Sequence, residues 1–267
     1  MTVHVTQLYR YPVKGLSAQP VATLDLSVAN GVAHDRTYAL ALGSTRFERE
    51  KAEPLDKGHF LMLRANEILA QLQSHFDETR STLTVSQNGQ VVLEASLQSA
   101  DGRSTVEAFF TDFVGAAAQG NIRVAEAPSH KFTDVSVVSP TMMRALSVIN
   151  LSTVRELETV VGQEIHPLRF RANVYIDGLD ARAELDWVDR DVIIGATRFR
   201  GALRTRRCAA IDVNPRTAVR DTHLPKAIFR HFGHPDLGVY LEIVENGNLA
   251  VGDQVHFRHG ILPFHSV

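Results

Sequence analysis

Short segments that alternate apolar and polar residues recur along most of this chain, and they confine its fold to sheets. VHVTQLYRYPV (3–13), QPVATLDLSV (19–28), RTYALALG (36–43) and STLTVSQNGQVVLEA (81–95) repeat with a period near two and are rich in Val, Thr, Leu and Tyr. In the last of them Asn88-Gly89 separates two apolar runs and predicts a tight hairpin. The pattern resumes after Gly162 in RANVYIDG, DVIIGATRFRG, CAAIDV, GVYLEIVENG and NLAVGDQVHF. Helical spacing occupies three windows. STVEAFFTDFVG carries Val106, Phe109, Phe110 and Phe113 between a cap at Ser104 and a stop at Gly115. LSTVRELETVVG lies between Ser152 and Gly162, and PKAIFRHF sets Ile228 and Phe232 on one face. The expectation is a mainly β chain with a few helices, a β-rich α+β class, built as two β-barrel-like subdomains over 1–120 and 121–267. Between the first two of these helices, the polar stretch APSHKFTDVSVVSPTMM is a candidate boundary or site loop.

Composition limits what such a chain can do. A hydrophobic content of 44% over 267 residues is enough for a well-buried core. With 28 basic and 30 acidic residues the formal charge is −2, so no global field recruits nucleic acid or an anionic membrane, and any basic site must be local. A single cysteine rules out an intramolecular disulfide, a tetracysteine zinc site or a cysteine-held iron–sulfur cluster supplied by these residues. A reducing, cytoplasmic setting is expected. The start, MTVHVTQLYRYPVKG, is too polar for a signal peptide, and no apolar run is long enough to span a bilayer.

That one thiol stands in RTRRCAAIDVNP (204–215), behind three arginines in four positions. Neighbouring guanidiniums favour the thiolate, the form that attacks electrophiles and binds metals. If 204–208 is extended, Arg204, Arg206 and Cys208 share a face while Arg207 projects from the other. The commoner fate of a cysteine, a core position with solvated arginines around it, stays open. Further arginines occur in HDR (34–36), RFRAN (169–173) and TRFRG (197–201), and several planar forks converging would cradle an oxyanion. The histidine pairs His231/His234 and His256/His259 lack a third ligand nearby, and Asp177, Asp180 and Glu184 do not have calcium-loop spacing. No phosphate-binding P-loop, dinucleotide fingerprint or serine elbow is present.

Taken in order, LYRYPVKGLSAQPV, HDR, FRANVYIDG, RRCAAIDVNPRT and GVYLEIVENGNLAVGDQV, with FEREKAEP as a looser match, resemble the MOSC family, named after the C-terminal domain of molybdenum cofactor sulfurase, with its N-terminal β-barrel partner. Within it the chain resembles amidoxime-reducing components and their bacterial relatives. The resemblance implies a molybdenum cofactor (molybdopterin) between the subdomains, with Cys208 as thiolate ligand and catalytic residue. Lys14, Arg36, Arg171, Asn173, Arg207 and Tyr240 are the implied cofactor contacts. The implied activity is reduction of small N-hydroxylated compounds, with electrons from a separate ferredoxin- or cytochrome b5-type protein and with neither nucleic acid nor membrane as partner. The alternative is a cofactor carrier, or a sulfur relay through a Cys208 persulfide. Pyridoxal phosphate binding is associated with the resemblance at family level alone. The chain departs from the family at Thr205, where a first cysteine often stands, at Ala172 in place of proline, at Lys51 in place of arginine and at Ala218 in place of glycine.

Overall fold

The structure is a computed structural model and describes residues 2–47, 54–127 and 130–257. In the first half the strands are β1 (His4–Arg10), β2 (Gln19–Val21), β3 (Thr23–Ser27), β4 (Gly31–Val32), β5 (Tyr38–Ala41), β6 (Leu72–Asp77), β7 (Thr82–Gln87) and β8 (Gln90–Ser96), followed by helix α1 (Ala100–Val114) and β9 (Arg123–Glu126). The second half runs α2 (Pro140–Met143), β10 (Leu146–Asn150), α3 (Leu151–Val161), β11 (Val174–Asp177), β12 (Asp191–Ile194), β13 (Thr197–Arg206), α4 (Leu224–Phe232), β14 (Asp236–Ile243), β15 (Gly247–Ala250) and β16 (Val255–Phe257). The β-rich α+β class holds. The sheets are open rather than closed into barrels: one of eight strands, ordered β16-β12-β13-β14-β10-β11-β1-β2, two of three strands and one pair.

The pairing interleaves the two ends of the chain. β1 lies antiparallel to β11 with Leu8 opposite Val174, and β3 pairs with β15 through Leu24 and Leu249. Their inward faces, with Val5, Leu8, Val148, Val174, Val239 and Leu241, form one core. A second core holds Leu40, Leu61, Phe76, Leu83, Val106 and Phe110 under the β6-β7-β8 sheet and α1, and a third packs α3 and α4 through Leu157, Leu224 and Ile228. β10 carries no alternation because all five of its residues are buried. The Asn88-Gly89 hairpin forms as expected, with φ of 51° and 77°.

Two helix starts differ from the sequence expectation. Helix α1 begins after Ser99, whose hydroxyl accepts from the Gly102 N–H at 3.1 Å, so Ser104 lies inside it. Gly102 permits this early start, because a Cβ there would stand 2.1 Å from the Ser96 carbonyl oxygen. Helix α3 is capped by Asn150, which accepts from Ser152 N–H at 3.1 Å, rather than by Ser152. The expected strand CAAIDV is also overturned. β13 stops at Arg206, where the chain bends so that Arg207 N–H bonds Pro235 O at 2.9 Å, and Ala209–Asp212 form a 3-10 turn. Its alanines favour helical backbone, and the Asp212 carboxylate leaves it to cap α4 at Leu224 N–H, 2.8 Å away.

The following turn holds Ala218 at φ 57°, a left-handed position where its Cβ is strained. Ala218→Gly is expected to raise stability by about 0.5–1 kcal/mol, the strain relief exceeding the added freedom of the unfolded chain. Urea denaturation checks this; a lower midpoint would mean the Ala218 methyl, 8% exposed, matters more in packing than in strain.

Candidate functional site

A cleft of about 440 Å3 opens where the end of β13, the 3-10 turn after Cys208, the loop 133–135 and the segments around Lys14 and Arg64 meet. Cys208, Lys14, Arg36, Arg171, Asn173, Arg207 and Tyr240 all line it. Sequence motifs scattered over the whole chain are therefore brought to one place. Two lysines and seven arginines line this cleft against a single acid, Asp134. In a chain of net charge −2, this basic site is local, as any such site in it must be.

Cys208 is half-buried at the start of the 3-10 turn, and its carbonyl accepts from Ile211 N–H at 3.1 Å. Of the three preceding arginines, Arg204 is drawn to the Leu185 carbonyl at 2.9 Å and the Asp186 carboxylate at 3.4 Å. Arg207 turns inward. Its Nε and Nη1 donate to Leu237 O at 2.7 Å and Phe170 O at 2.9 Å, while Nη2 is buried with no acceptor. Burial pushes the Arg207 pKa down, opposed by Tyr240, Tyr175 and Cys208. The Thr205 hydroxyl, also on the cleft wall, is a second buried group without a partner.

Opposite stand Arg36 and Arg171, each with its guanidinium carbon 4.5 Å from the centre of the Tyr11 ring. Both adopt left-handed backbone, φ 47° and 52°. Arg36 is held by Asp35 at 2.5 Å and donates to the Arg171 carbonyl at 3.0 Å. Among the described residues the Arg171 guanidinium has no carboxylate within ion-pair distance, and burial, with Arg36 adding to it, lowers its pKa. Burial raises the pKa of Tyr11 to about 12, so its hydroxyl stays a donor, bonded to Ala172 O at 3.1 Å.

Lys14 is 6% exposed and donates to Phe132 O at 3.0 Å and to the Asp134 carboxylate. Burial lowers its pKa, with Asp134 opposing. Against the effect of its own desolvation, Lys14 and Lys57 hold Asp134 well below the usual carboxylate range. Tyr240 sits on β14 between Ser147 of β10 and Leu203 of β13, and burial raises its pKa with Arg207 opposing. Asn173 is committed to the protein: its Oδ1 accepts from Ser147 Oγ at 2.8 Å and Arg36 Nη1 at 3.4 Å, and its Nδ2 donates to Tyr9 O at 3.2 Å. It braces the wall of the cleft.

Residues 2–125 match the MOSC N-terminal beta barrel domain and residues 127–256 the MOSC domain. The chain belongs to the MOSC family. It is similar to mitochondrial amidoxime-reducing component 1 of Xenopus laevis, 26% identical over 47% of this chain and 39% of that one. It is also similar to human mitochondrial amidoxime reducing component 2, 24% identical over 42% of this chain and 36% of that one. The match thus spans about two fifths of the length of these curated relatives. The solved YuaD protein of Bacillus subtilis aligns over 96% of this MOSC protein and 94% of its own chain, with 13% identity and a TM-score of 0.45.

Sequence reasoning passed over Tyr11, Asp134 and Ser147. Tyr11 lay inside LYRYPVKG, and Asp134 inside the polar stretch read as a candidate site loop, but neither carried a signal of its own. His231 lies on α4 and His256 on β16, and neither lines the cleft. Glu184 is fully buried and accepts from Thr153 Oγ at 2.8 Å and Asn150 Nδ2 at 3.1 Å, a structural brace. Lys51 and His259 lie outside the described residues. No helix among the described residues is long and apolar enough to cross a membrane.

Proposed function

We propose that this MOSC protein binds a molybdenum cofactor in the cleft and reduces N-hydroxylated compounds with electrons from a separate electron-transfer protein. The observation that carries the reading is the meeting in one cleft of the only thiol with Arg207, whose Nη2 is buried without an acceptor, and with Arg171, whose guanidinium has no carboxylate within ion-pair distance among the described residues. A buried donor without an acceptor, as at Arg207 Nη2, is costly unless a ligand completes it. The donor set fits the same group. Among the described residues no three His, Cys, Asp or Glu side chains come together, so a bare ion has no cage here. A lone soft thiolate instead suits a metal that brings its remaining ligands with it.

Cys208 Sγ is the proposed ligand. Arg171, Arg207 Nη2 and Lys14 face the anionic parts of the cofactor, since charge-assisted bonds to phosphate and sulfur are strong in a sheltered cleft. Arg36, braced by Asn173, holds the Arg171 backbone, and the Tyr11 ring packs against its guanidinium. Tyr240, kept protonated by burial, offers a hydroxyl donor beside Arg207. When bound, the cofactor supplies two-electron oxygen-atom chemistry, so that R–NH–OH, two electrons and two protons give R–NH2 and water.

The test is metal content followed by turnover. Protein purified from a host that makes the cofactor is expected to carry near-stoichiometric molybdenum and to reduce an aryl amidoxime when supplied with viologen reduced by dithionite. Loading without turnover would assign a carrier instead. Absent metal, with a control molybdoenzyme loaded in the same host, would overturn the cofactor.

A further inference from the structure

Beyond the cleft, a groove of about 900 Å3 runs along α4 and shares Arg206 and Arg207 with it. Its floor is the exposed side of an amphipathic helix: Leu224 and Ile228 are buried in the core, whereas Phe229 is 62% exposed. Phe229 is the most exposed of the large apolar side chains among the described residues, and no other aromatic ring is so placed. Lys226 lies one turn before it and Arg230 directly after, with Arg206 across the groove. None of these three cations has an ion pair among the described residues, and all three are exposed. Among the described residues the only acid on the groove, Asp221, is already bound to Arg169 at 2.6 Å.

An exposed aromatic inside a collar of unpaired cations is the pattern of an interface that a negatively charged protein covers, the ring as anchor and the charges as steering. The position gives the partner a purpose. Pro235 on the groove accepts from Arg207 N–H at 2.9 Å, and Arg207 is joined by one peptide bond to Cys208. One hydrogen bond and one peptide unit thus connect the groove to the thiol.

We infer that the α4 face is the docking surface for an acidic one-electron donor protein, an inference that rests on the reductase reading. Each docking event oxidises the donor by one electron, and two events with two protons complete one N–O reduction to amine and water. The charge-reversed double variant Lys226→Glu/Arg230→Glu, with Phe229→Ala beside it, tests this. The probes are an acidic plant-type ferredoxin and the soluble domain of cytochrome b5. Binding of each to purified protein is measured by calorimetry, and donor-driven turnover by amidoxime reduction.

Wild type is expected to bind at least one of them, with affinity falling about 10-fold between 50 and 500 mM salt as the charges are screened. The double variant should lose 10-fold or more in affinity and in donor kcat/KM, and Phe229→Ala a smaller factor. Turnover driven by reduced viologen should be unchanged in both. Wild type binding neither protein, or the double variant binding as well as wild type, overturns the inference. Binding of wild type to phosphatidylserine vesicles, lost in the variant and without affinity for either protein, would reassign the face to a membrane. If viologen drives no turnover in wild type, the reductase reading fails by itself while calorimetry still reports on docking.

Discussion

Replacing Cys208 with serine is expected to strip molybdenum and reduce turnover by at least about 100-fold, while the melting temperature stays within a few degrees of wild type. The two effects separate because the thiol does little for the fold. It is half-buried, its sulfur makes no hydrogen bond among the described residues, and the carbonyl that starts the 3-10 turn is unchanged by the substitution. Serine has nearly the same shape but offers a hard oxygen that ionises far less readily, a poor match for a soft metal centre. Elemental analysis of both proteins from one cofactor-producing host, with thermal melts beside it, gives the answer. Equal losses in stability and activity would make Cys208 a packing residue, and undiminished metal in the serine variant would place the ligand elsewhere.

The site was legible in the sequence as a set of residues but not as a division of labour. The seven motif residues meet in one cleft because β1 pairs with β11 and β14 lies between β10 and β13, pairings fixed by long-range register that local alternation does not encode. Alternation did mark most strands and the Asn88-Gly89 hairpin. It failed at CAAIDV, where two small alanines mimic a strand while the backbone turns. Charge partners were hidden for a similar reason. Nothing in RTRRC says that Arg204 leaves for Asp186 while Arg207 turns inward, because those partners come from other elements. Asn173 reads as a ligand contact in FRAN, yet its amide is spent on Ser147, Arg36 and Tyr9. The polar stretch around Asp134 was visible only as a loop, and its ion pair with Lys14 needed the fold to bring them together.

Arg171 and Arg207 provide the second large effect, because the same loss of charge should destabilise the fold at one position and leave it nearly unchanged at the other. Arg207 carries two buried carbonyls, Phe170 O and Leu237 O, so Arg207→Ala leaves both unpaired and is expected to cost about 2–4 kcal/mol of stability as well as the cofactor. Arg171 supports nothing comparable. Among the described residues its guanidinium has no carboxylate, it shares the Tyr11 ring with Arg36, and its backbone is held at φ 52°, a strained position for a residue with a side chain. Arg171→Ala is therefore expected to leave the cofactor-free protein within about 1 kcal/mol of wild type, the lost ring contact offsetting the relief of like charge. Cofactor retention, measured as pterin and molybdenum per chain after dialysis, should weaken about 100-fold, since removal of a sheltered charge facing an anion typically costs a few kcal/mol of binding. If Arg171→Ala melts as early as Arg207→Ala, both arginines are structural; if it keeps its pterin, the cradle does not include Arg171.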